Sequence, residues 1–580
     1  MADESSKSMR IENAIRNETV EKDGVLFLKD HRHFGYSDGD RTERYVLEVI
    51  RHVKDISSGS RELEAHVRDW PTLYHFSRER VLAYQSLNIS PAAKVLEVGS
   101  GCGSITRLLG ERAGAVLALE GSPRRALITR ERTRDLQTVK VLCASFQDVV
   151  FREKFDLVVC NGVLEYAPLF VTHDEPHRHM IEQLSALVSP GGSLIVAIEN
   201  QLGLRYFSSG KEEHTSVMFD GLEGYATRKR SPRTFGWKEL HGLLSASFHS
   251  VETLLPLPDY KLPTAIIRAE LTDLVNCAEL FANTTRHDFG SYVRPKMHER
   301  LVWHELQRNG LLREFANSFF MIAGDRRTTL LEPDWMGDIY TIRREPNWTV
   351  RTRIFAGRDG SVYTSKSYWE SDRRGSADSP FEHRVGKSRW ANGITLHTKI
   401  VRALRQQGPE SLEDRLREPV LAWWRAIRQE RPGGESLSGE ALDHNWQNAM
   451  VENGTVEFID REWMWSENIS PAWLIYRVVS KFVDSEVFYV HRWSKGCRSL
   501  SPYRLMKMVA KIVGVKVTAR SLIEAAARES AFQAVVSGRK QSRLKAAVLV
   551  FEPIRVRQLR YLWRRALGRV RSRLIASLGK

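Results

Sequence analysis

The sequence predicts an α/β fold for the first half of the chain, followed by an α+β unit and a basic helical tail. Apolar segments of strand length alternate with helical segments between residues 94 and 200, and this alternation is typical of a parallel sheet with helices on both faces. Three consecutive strands are legible from 339 to 368. Residues 496–580 carry twenty Lys and Arg against three Asp and Glu, so the net charge of +16 belongs to the tail.

Length and composition indicate a globular protein with several domains. A chain of 580 residues that is 42% hydrophobic can bury more than one core. The five cysteines are widely spread and form no pair at metal-ligand spacing, which fits a reducing compartment. The amino terminus lacks the apolar core of a signal peptide, and no run of about 18 apolar residues is present to span a membrane. We therefore expect a cytoplasmic location.

Residues 94–110, KVLEVGSGCGSITRLLG, predict a strand, a glycine-rich turn and the start of a helix. The turn contains Gly99, Gly101 and Gly103. Such a turn lets the backbone approach a ligand closely, with the helix N–H groups facing it. The next strand ends at Glu120, about twenty residues further on, where a carboxylate can accept both hydroxyls of a ribose. A dinucleotide-binding dehydrogenase is the alternative, but Ser104 stands where that class has its last glycine.

Three further strands follow, and together the five predict a doubly wound sheet. They are VKVLCAS (139–145), FDLVVCNGVLEY (155–166) and SPGGSLIVAIEN (189–200). In such folds the ligand lies at the carboxyl ends of the strands. This order of elements resembles the Rossmann-like class I S-adenosylmethionine-dependent methyltransferases.

The resemblance assigns cofactor-binding roles to residues at the strand ends. The three glycines would line the methionine portion of the cofactor, and Glu97 would lie near its amino group. Glu120 would hold the ribose, and Ser145 and Phe146 would border the adenine. Asn161, at the end of the fourth strand, would lie beside the sulfonium.

The sequence leaves the methyl acceptor open. Transfer to a neutral hydroxyl requires a general base, for which the candidates at the strand ends are Glu199, Glu165 and His75. The alternative role of Glu199 is that of a hydrogen-bonded carboxylate at the end of a strand. Transfer to a phosphate oxygen requires no base, because that nucleophile is already anionic and positioning suffices.

Five phrases of the sequence resemble a narrower family. They are GYSDGD (35–40), RDWPTLYHFSRERV (68–81), AIENQLGLRYFSSG (197–210), PLPDYKLP (256–263) and NGLLREFANSFF (309–320). Together they resemble bacterial surface-polysaccharide methyltransferases, above all those fused to a kinase that terminate polymannose O-antigen chains of lipopolysaccharide. In that family the kinase phosphorylates the terminal sugar, and the methyltransferase methylates the new phosphate.

The same resemblance gives roles to four further residues. Tyr74 and His75 would belong to an N-terminal lid over the cofactor, and the alternative for both is a packed aromatic cluster. Arg205 and Tyr206 follow the fifth strand and would grip an anionic acceptor, since Arg binds phosphate through two parallel hydrogen bonds.

The segment 441–460, ALDHNWQNAMVENGTVEFID, has the spacing of a phosphotransferase catalytic loop. Asp443 would orient and deprotonate a sugar hydroxyl, while Asn448 and Asp460 would hold Mg²⁺ on ATP across a predicted hairpin. Lys366, on a strand of the preceding small sheet, would reach the α- and β-phosphates. Ala441 stands where related kinases often carry His, so an inactive kinase-like fold that only binds glycan is the alternative.

The tail predicts a basic amphipathic helix. Its apolar stripe consists of Val556, Leu559, Trp563, Leu567, Val570, Leu574 and Leu578. Such a helix can lie on an anionic inner-membrane surface, where each cation adds roughly 1 kcal/mol. A helix that binds a partner, such as a glycosyltransferase, is the second interpretation. Nucleic acid is the third, and the near-neutral remainder of the chain argues against it.

These observations predict five segments. They are an N-terminal helical lid region at 1–90, a methyltransferase domain at 91–270, a helical connector at 271–330, a kinase-like domain at 331–495 and the basic tail at 496–580. The predicted function is methylation of a lipid-linked polysaccharide, coupled to phosphorylation of its terminal sugar. The alternatives are methylation of a sugar hydroxyl beside an inactive kinase-like module, and a tethering protein that recruits glycosyltransferases.

Overall fold

The structure is a computed structural model of the chain. It describes residues 11–29, 39–226, 231–284, 294–370, 379–429, 436–538, 548, 550–560 and 563. The chain forms two compact units. Unit 1 comprises Met1–Asp273, Thr284–Val293 and Asn309–Ile339, and unit 2 comprises Leu274–Asn283, Arg294–Arg308 and Tyr340–Lys580. The segment 271–330, predicted as a connector, is therefore divided between the two units.

The sheet of unit 1 has a parallel centre and an antiparallel flank. Its strands are β1 (Thr19–Lys22), β2 (Val25–Leu28), β3 (Lys94–Val98), β4 (Ala115–Glu120), β5 (Val139–Cys143), β6 (Phe155–Asn161), β7 (Val188–Glu199), β8 (Ser250–Leu257), β9 (Ala265–Arg268), β10 (Ser318–Gly324) and β11 (Trp335–Thr341). The order is β1-β2-β5-β4-β3-β6-β7-β10-β8-β9-β11. Strands β2 to β7 pair in parallel, while β10 runs antiparallel to β7 and β8.

The helices follow the strands in alternation within unit 1. The helices of the chain are α1 (Ile11–Ala14), α2 (Asp40–His52), α3 (Arg61–Ala65), α4 (Trp70–Phe76), α5 (Leu82–Gln85), α6 (Ser104–Arg112), α7 (Pro123–Arg132), α8 (Ala167–Phe170), α9 (Pro176–Ala186), α10 (Leu204–Phe207), α11 (Trp237–Ser245), α12 (Leu271–Leu274), α13 (Ala278–Asn283), α14 (Glu299–Arg308), α15 (Leu312–Phe315), α16 (Leu396–Arg405), α17 (Leu412–Gln429), α18 (Pro471–Glu486), α19 (Pro502–Ile512) and α20 (Ala519–Ser537). Helices α6 and α7 connect β3 to β4 and β4 to β5, and α8 and α9 connect β6 to β7.

The five predicted strands of the doubly wound sheet are present as β3 to β7, and the prediction of a Rossmann-like α/β domain is confirmed. The central strands are mostly apolar because helices cover both of their faces. Val95, Val116 and Val158 are fully buried in this core. The chain passes from β3 outward to β5 and then crosses back to β6, so β3 and β6 are neighbours. Loops diverge at this crossover, and the divergence opens a crevice at the carboxyl ends of the two strands.

Unit 2 combines small antiparallel sheets with a helical core. Its strands are β12 (Val350–Ala356), β13 (Val362–Tyr368), β14 (Phe381–His383), β15 (Lys387–Arg389), β16 (Ile394–Thr395), β17 (Ala449–Glu452), β18 (Thr455–Phe458) and β19 (Trp463–Trp465). The hairpin predicted before Asp460 is present, with β17 and β18 joined by Asn453 and Gly454. Both turn residues have positive φ angles, of 49° and 82°, which Asn-Gly adopts readily in two-residue hairpins.

Within the described residues, no helix combines the length and apolar character that a membrane span requires. Three members of the predicted tail stripe are described, and all are exposed: Val556, Leu559 and Trp563. The other members, Leu567, Val570, Leu574 and Leu578, lie outside the described residues, as do residues 35–38 of the GYSDGD phrase.

Candidate active site

A cavity of about 280 Å³ lies in unit 1 at the carboxyl ends of the central strands. Each strand of the crossover region contributes a residue to its wall. The predicted cofactor residues that line it are Tyr74, His75, Glu97, Gly99, Gly101, Glu120, Ser145, Phe146 and Asn161. The topology of the sheet therefore brings together side chains that the sequence analysis selected from four separate strand ends and one helix.

The three glycines of the turn all have positive φ angles but serve different purposes. Gly99 and Gly103 are needed for packing. Gly99 has φ of 78°, and an added Cβ would lie 2.4 Å from Val163 Cγ2. Gly103 has φ of 75°, and an added Cβ would lie 2.9 Å from Thr129 Cα. Gly101 has φ of 58°, and an added Cβ would meet nothing within 4 Å. Gly103 does not line the cavity, so its predicted contact with the cofactor is replaced by close packing on α7.

The carboxylate of Glu120 connects the end of β4 to the glycine turn. Its Oε2 accepts a hydrogen bond from the Gly101 N–H at 2.8 Å, and its Oε1 accepts one from the Ser122 N–H at 2.9 Å. Burial raises the pKa of Glu120, and the nearby Arg125 opposes that shift. A buried carboxylate at this position, with lone pairs still directed to the cavity, suits the two hydroxyls of a ribose.

Glu97 and Asn161 each present a buried polar atom to the cavity without a protein partner. Burial raises the pKa of Glu97 to about 7, and its Oε2 has no hydrogen-bond partner among the described residues. Asn161 accepts a hydrogen bond from the Tyr84 hydroxyl at 3.0 Å, whereas its Nδ2 is unsatisfied. Buried polar atoms are normally satisfied, so both atoms mark places where a polar ligand binds.

Helix α4 covers one side of the cavity and is held there by its backbone. Asp69 and Thr72 form a capping box that fixes the start of the helix. The His75 carbonyl accepts hydrogen bonds from Ser104 Oγ at 2.9 Å and from Arg132 Nη1 at 2.7 Å. These contacts attach α4 to α6 and α7, and they place Tyr74 and His75 against the cavity as predicted.

Arg80 is a cavity residue that the sequence analysis did not select. Its Nη2 donates to the Tyr74 hydroxyl at 2.8 Å, and its Nη1 donates to the Tyr260 carbonyl at 3.3 Å. The guanidinium carbon lies 4.5 Å from the centroid of the Tyr74 ring. The 68–81 phrase contains both Arg80 and Tyr74, but nothing local in it indicates that the guanidinium faces the cavity.

The cavity ends in a cluster of acidic and basic side chains, which we call the acid–base cluster. It consists of Glu165, Glu199, His214, Tyr260 and Lys261. Lys261 Nζ lies 2.5 Å from Glu199 Oε1, and His214 Nε2 lies 3.6 Å from Glu199 Oε2. One carboxylate oxygen each from Glu165 and Glu199 and one ring nitrogen of His214 lie within 4.8 Å of one another. The Lys261 ammonium supplies a positive charge beside Glu199.

Glu199 does not occupy the position that its predicted role as the base requires. It does not line the cavity, whereas the other four members of the acid–base cluster do. Although burial opposes ionisation, Lys261 and His214 hold the pKa of Glu199 well below its usual range. A weakly basic carboxylate behind the wall is suited to holding Lys261 and His214 in place, and the prediction that Glu199 acts as the general base is therefore corrected.

Arg205 and Tyr206 also lie outside the cavity wall. The Arg205 guanidinium forms an ion pair with the buried Glu213 and lies 5.3 Å from the centroid of the Tyr206 ring. Helix α10 begins soon after β7 and directs both side chains inward, where each is at most 5% exposed. The predicted grip on an anionic acceptor is therefore corrected. The arginine and lysine side chains that do line the cavity are Arg80, Arg125 and Lys261.

Unit 2 brings its four predicted site residues together. The Lys366 ammonium contacts the carboxylates of Asp460 and Glu462. Asn448 Nδ2 donates to the Asp443 carbonyl at 3.1 Å and to the Asp460 carbonyl at 3.4 Å. Lys366 and Asp460 are 94 residues apart in the chain, so only the fold explains their contact.

Asp443 and Glu462 are the buried carboxylates of this second site. Asp443 Oδ2 accepts the N–H groups of Glu462 and Trp463 at 2.7 and 2.6 Å, and burial raises its pKa to about 6. Although burial opposes ionisation, Lys366 and Arg344 lower the pKa of Glu462 well below its usual range. Glu462, which the sequence analysis did not select, forms an ion pair with Lys366.

A comparison with known protein families supports the assignment of unit 1. Residues 96–196 match the methyltransferase domain family, and no curated protein sequence matches the chain. A similar solved structure is a complex between the Haloferax volcanii Trm112 methyltransferase activator and a methyltransferase. The identity is 16%, the alignment covers 42% of this chain and 87% of that chain, and the TM-score is 0.26.

Two other similar structures contain S-adenosylhomocysteine. One is the phosphoethanolamine N-methyltransferase 2 of Haemonchus contortus. The identity is 13%, the alignment covers 49% of this chain and 57% of that chain, and the TM-score is 0.28. The other is the N-methyltransferase NodS of Bradyrhizobium japonicum. The identity is 18%, the alignment covers 28% of this chain and 75% of that chain, and the TM-score is 0.19.

The matched segment contains β4 to β6, most of β3 and β7, and the strand ends that form the cofactor side of the cavity. Buried Glu97, whose Oε2 has no hydrogen-bond partner among the described residues, suits an ammonium group. Glu120 suits a ribose, and the open space at Gly101 suits a closely approaching ligand. These features fit S-adenosylmethionine. Unit 1 contains a class I methyltransferase domain, and the protein is an S-adenosylmethionine-dependent methyltransferase.

Proposed function

We propose that the protein methylates a sugar at the growing end of a surface polysaccharide of the O-antigen type. This proposal rests on which segments of the sequence contribute residues to the cavity wall. The phrase at 68–81 contributes Arg80 to the cavity, and the phrase at 256–263 contributes Lys261. Segments that carry the family resemblance thus contribute side chains to the wall of the cavity, and the site rather than the fold decides which acceptor binds.

The polar lining of this side supports a sugar acceptor. Glu165, Tyr166, His214 and Tyr260 all line the cavity and offer both hydrogen-bond donors and acceptors. A sugar ring presents several hydroxyls, each of which can donate and accept. The match in hydrogen-bonding capacity favours a glycan over an apolar acceptor.

We propose as a second function that unit 2 phosphorylates the same glycan with ATP and Mg²⁺. The convergence of Lys366, Asp443, Asn448 and Asp460 favours this function, since phosphoryl transfer relies on positioning and on metal ligands. The Asp460 side chain is 46% exposed and is accessible to a metal ion. Asn448 and Asp460 would hold Mg²⁺, Lys366 would contact the nucleotide phosphates, and Asp443 would orient the sugar hydroxyl.

The tail is proposed to hold the enzyme near its lipid-linked acceptor at the inner membrane. Its exposed apolar residues Leu559 and Trp563 are 56% and 66% exposed and lie among arginines. Deleting residues 540–580 should abolish sedimentation with vesicles that contain an anionic phospholipid, while methylation of a soluble acceptor is retained. Unchanged sedimentation would leave a partner such as a glycosyltransferase as the target of the tail.

One experiment tests the two catalytic functions together. The purified protein is incubated with isolated O-polysaccharide and methyl-labelled S-adenosylmethionine, with and without ATP and Mg²⁺. Transfer of label to the glycan supports the first proposal, and its absence under both conditions contradicts it. Incorporation of phosphate from γ-labelled ATP supports the second, and a glycan without phosphate indicates an inactive kinase-like unit.

Variants identify which unit does which chemistry. Asp460→Asn should abolish phosphate incorporation, because the amide is a much weaker Mg²⁺ ligand than the carboxylate. Asp414→Asn, at an exposed position of unit 2, is the control and should leave phosphorylation unchanged. If Asp460→Asn lowers methylation only when ATP is present, the two reactions are consecutive. If methylation is unaffected, the two modifications are independent.

A further inference from the structure

The acid–base cluster lies next to the carboxyl end of β6. Gly162 follows β6 directly and has φ of 68°, and an added Cβ would lie 2.8 Å from the Tyr260 hydroxyl and 3.6 Å from Glu165 Oε1. Asn161, the preceding residue, lines the cavity beside the expected position of the sulfonium. The Glu165 carboxyl and the Tyr260 phenol therefore face the region where the methyl group is transferred.

Glu165 is the member of the cluster that faces the cavity with an unsatisfied oxygen. The residue is 1% exposed, and its Oε2 has no hydrogen-bond partner among the described residues. A carboxylate oxygen in this condition requires a hydrogen-bond donor. A hydroxyl of the acceptor can supply that donor, whereas a fully ionised phosphate cannot.

We propose that Glu165 is the general base of the reaction and that the methyl acceptor is a neutral sugar hydroxyl rather than a phosphate. This inference rests on the proposed methylation of a glycan and names the acceptor group of that same site. The hydroxyl oxygen forms a bond to the methyl carbon as the bond from that carbon to sulfur breaks. The sulfonium becomes a neutral thioether, and the hydroxyl proton moves to Glu165, so the positive and negative charges disappear together.

The charges around Glu165 support its role as the base. Burial, followed by the charge of Glu199, raises the pKa of Glu165 well above its usual range, while His214 and Lys261 oppose that shift. Cys160 and Tyr260, which also lie near Glu165, are buried and neutral, because burial raises the pKa of both groups well above its usual range. A carboxylate with a raised pKa is a stronger base than an ordinary glutamate and is close to the strength that proton transfer at neutral pH requires.

The other members of the cluster are less suited to accept the proton. Hydrogen bonding and the charge of Glu199 raise the pKa of His214 to about 9 despite its burial, so its imidazole already carries a proton at neutral pH. Glu199 lies behind the wall and is neutralised by Lys261. We assign Glu199 and Lys261 as positioning residues, which hold the cluster around Glu165.

The same charges disfavour a phosphate acceptor. The cavity-facing ammonium of Lys261 already contacts two carboxylates, those of Glu199 and Glu213. The guanidinium of Arg80 already donates to a hydroxyl and two carbonyl groups. A phosphate would bring one or two further negative charges next to the carboxylates of Glu165 and Glu199, and like charges in a buried site repel strongly. The protonated His214 beside them offsets only part of this repulsion, because its charge already faces Glu199.

The first test needs no acceptor and therefore does not depend on the proposed function. Binding of S-adenosylmethionine and of S-adenosylhomocysteine is measured by calorimetry at pH 7 in two buffers of different ionisation enthalpy. The sulfonium should displace a proton from Glu165, whereas the thioether should not, so only the first ligand should show the additional proton release. Any proton released by Glu97 is common to both ligands. The difference should vanish in Glu165→Gln and persist in Glu182→Gln, which replaces an exposed glutamate of α9.

The second test compares two acceptors: a mannose trisaccharide, and the same trisaccharide with a phosphate on its terminal sugar. Methylation of the free trisaccharide should fall about 100-fold or more in kcat in Glu165→Gln, with KM and S-adenosylhomocysteine affinity unchanged. The wild-type rate should rise with pH below the pKa of the base, and this rise should be absent in the variant. The inference is overturned if only the phosphorylated trisaccharide is methylated, at equal rates in both proteins. Failure of the wild-type enzyme on both acceptors contradicts the proposed function, and calorimetry then decides the role of Glu165 alone.

Discussion

Replacing Gly101 by Ala should weaken cofactor binding with little effect on folding. Gly101 lines the cavity, has φ of 58°, and has nothing within 4 Å of the position of an added Cβ. The added methyl group would therefore project into free space, and the fold itself would not clash with it. The free space beside Gly101 is where we expect the cofactor to bind.

Two energies can be estimated for this substitution. A non-glycine residue in the left-handed region costs roughly 1–2 kcal/mol of folding stability. A methyl group that excludes the cofactor from contact with the turn should lower its affinity at least about tenfold, which corresponds to about 1.4 kcal/mol. Gly310 provides the matched control, because it has φ of 66° and also has nothing within 4 Å but lies away from the cavity.

Calorimetry with S-adenosylhomocysteine and urea unfolding measure the two quantities separately. Gly101→Ala and Gly310→Ala should lose similar stability, and only Gly101→Ala should lose affinity. Gly103→Ala should lose more stability than either, because its Cβ would lie 2.9 Å from the backbone of Thr129. Equal affinities of Gly101→Ala and Gly310→Ala would show that the cofactor does not lie over this turn, and the site assignment would have to be abandoned.

Three further predictions concern affinity and stability. Glu120→Ala should weaken S-adenosylhomocysteine binding about 10- to 100-fold in calorimetry, because hydrogen bonds to a charged group contribute about 1.5–3 kcal/mol; an unchanged Kd would contradict the ribose assignment. The free energy of unfolding should fall as the pH is lowered from about 6.5 to 4, since burial lowers the pKa of His397 to about 4 and the unfolded chain binds that proton first. Urea unfolding at several pH values should show a loss approaching 3 kcal/mol from this group, and an acid-insensitive midpoint would refute it. Leu404→Ala, at a fully buried position of α16, should destabilise unit 2 by about 2–5 kcal/mol, whereas an effect below about 0.5 kcal/mol would show that the helix is not part of its core.

The sequence was sufficient to predict the cofactor side of the cavity because that side is built from local patterns. Buried strands are recognisable in the sequence as apolar runs, and the residues expected to bind the cofactor follow at the ends of these runs. Spacing places Glu120 at the end of a strand, whereas the role of Glu97 is what the family resemblance implies; both residues line the cavity. Gly103 shows the limit of the same argument, since a pattern of glycines does not reveal which of them faces a ligand and which packs on a helix.

The acceptor side could not be predicted because it depends on contacts between distant segments. Arg205 follows a strand and can bind an anion through its guanidinium, but this group forms an ion pair with the buried Glu213 instead. Glu199 ends a central strand, yet Lys261 neutralises it from a segment 62 positions later in the sequence. In unit 2, spacing located Asp460, whereas the contact between Lys366 and Glu462 required the complete fold.

The hydrogen bond between Glu120 and the Gly101 N–H has a consequence for redesign of the donor site. The carboxylate that we assign to the ribose of the cofactor also accepts a hydrogen bond from the glycine turn, so it would serve both the recognition of the sugar and the shape of the loop. The two halves of the donor cannot be altered independently by mutating this position. An enzyme intended to accept donors with an enlarged nucleobase is better obtained by changing Ser145 or Phe146, where the wall of the pocket does not support the loop.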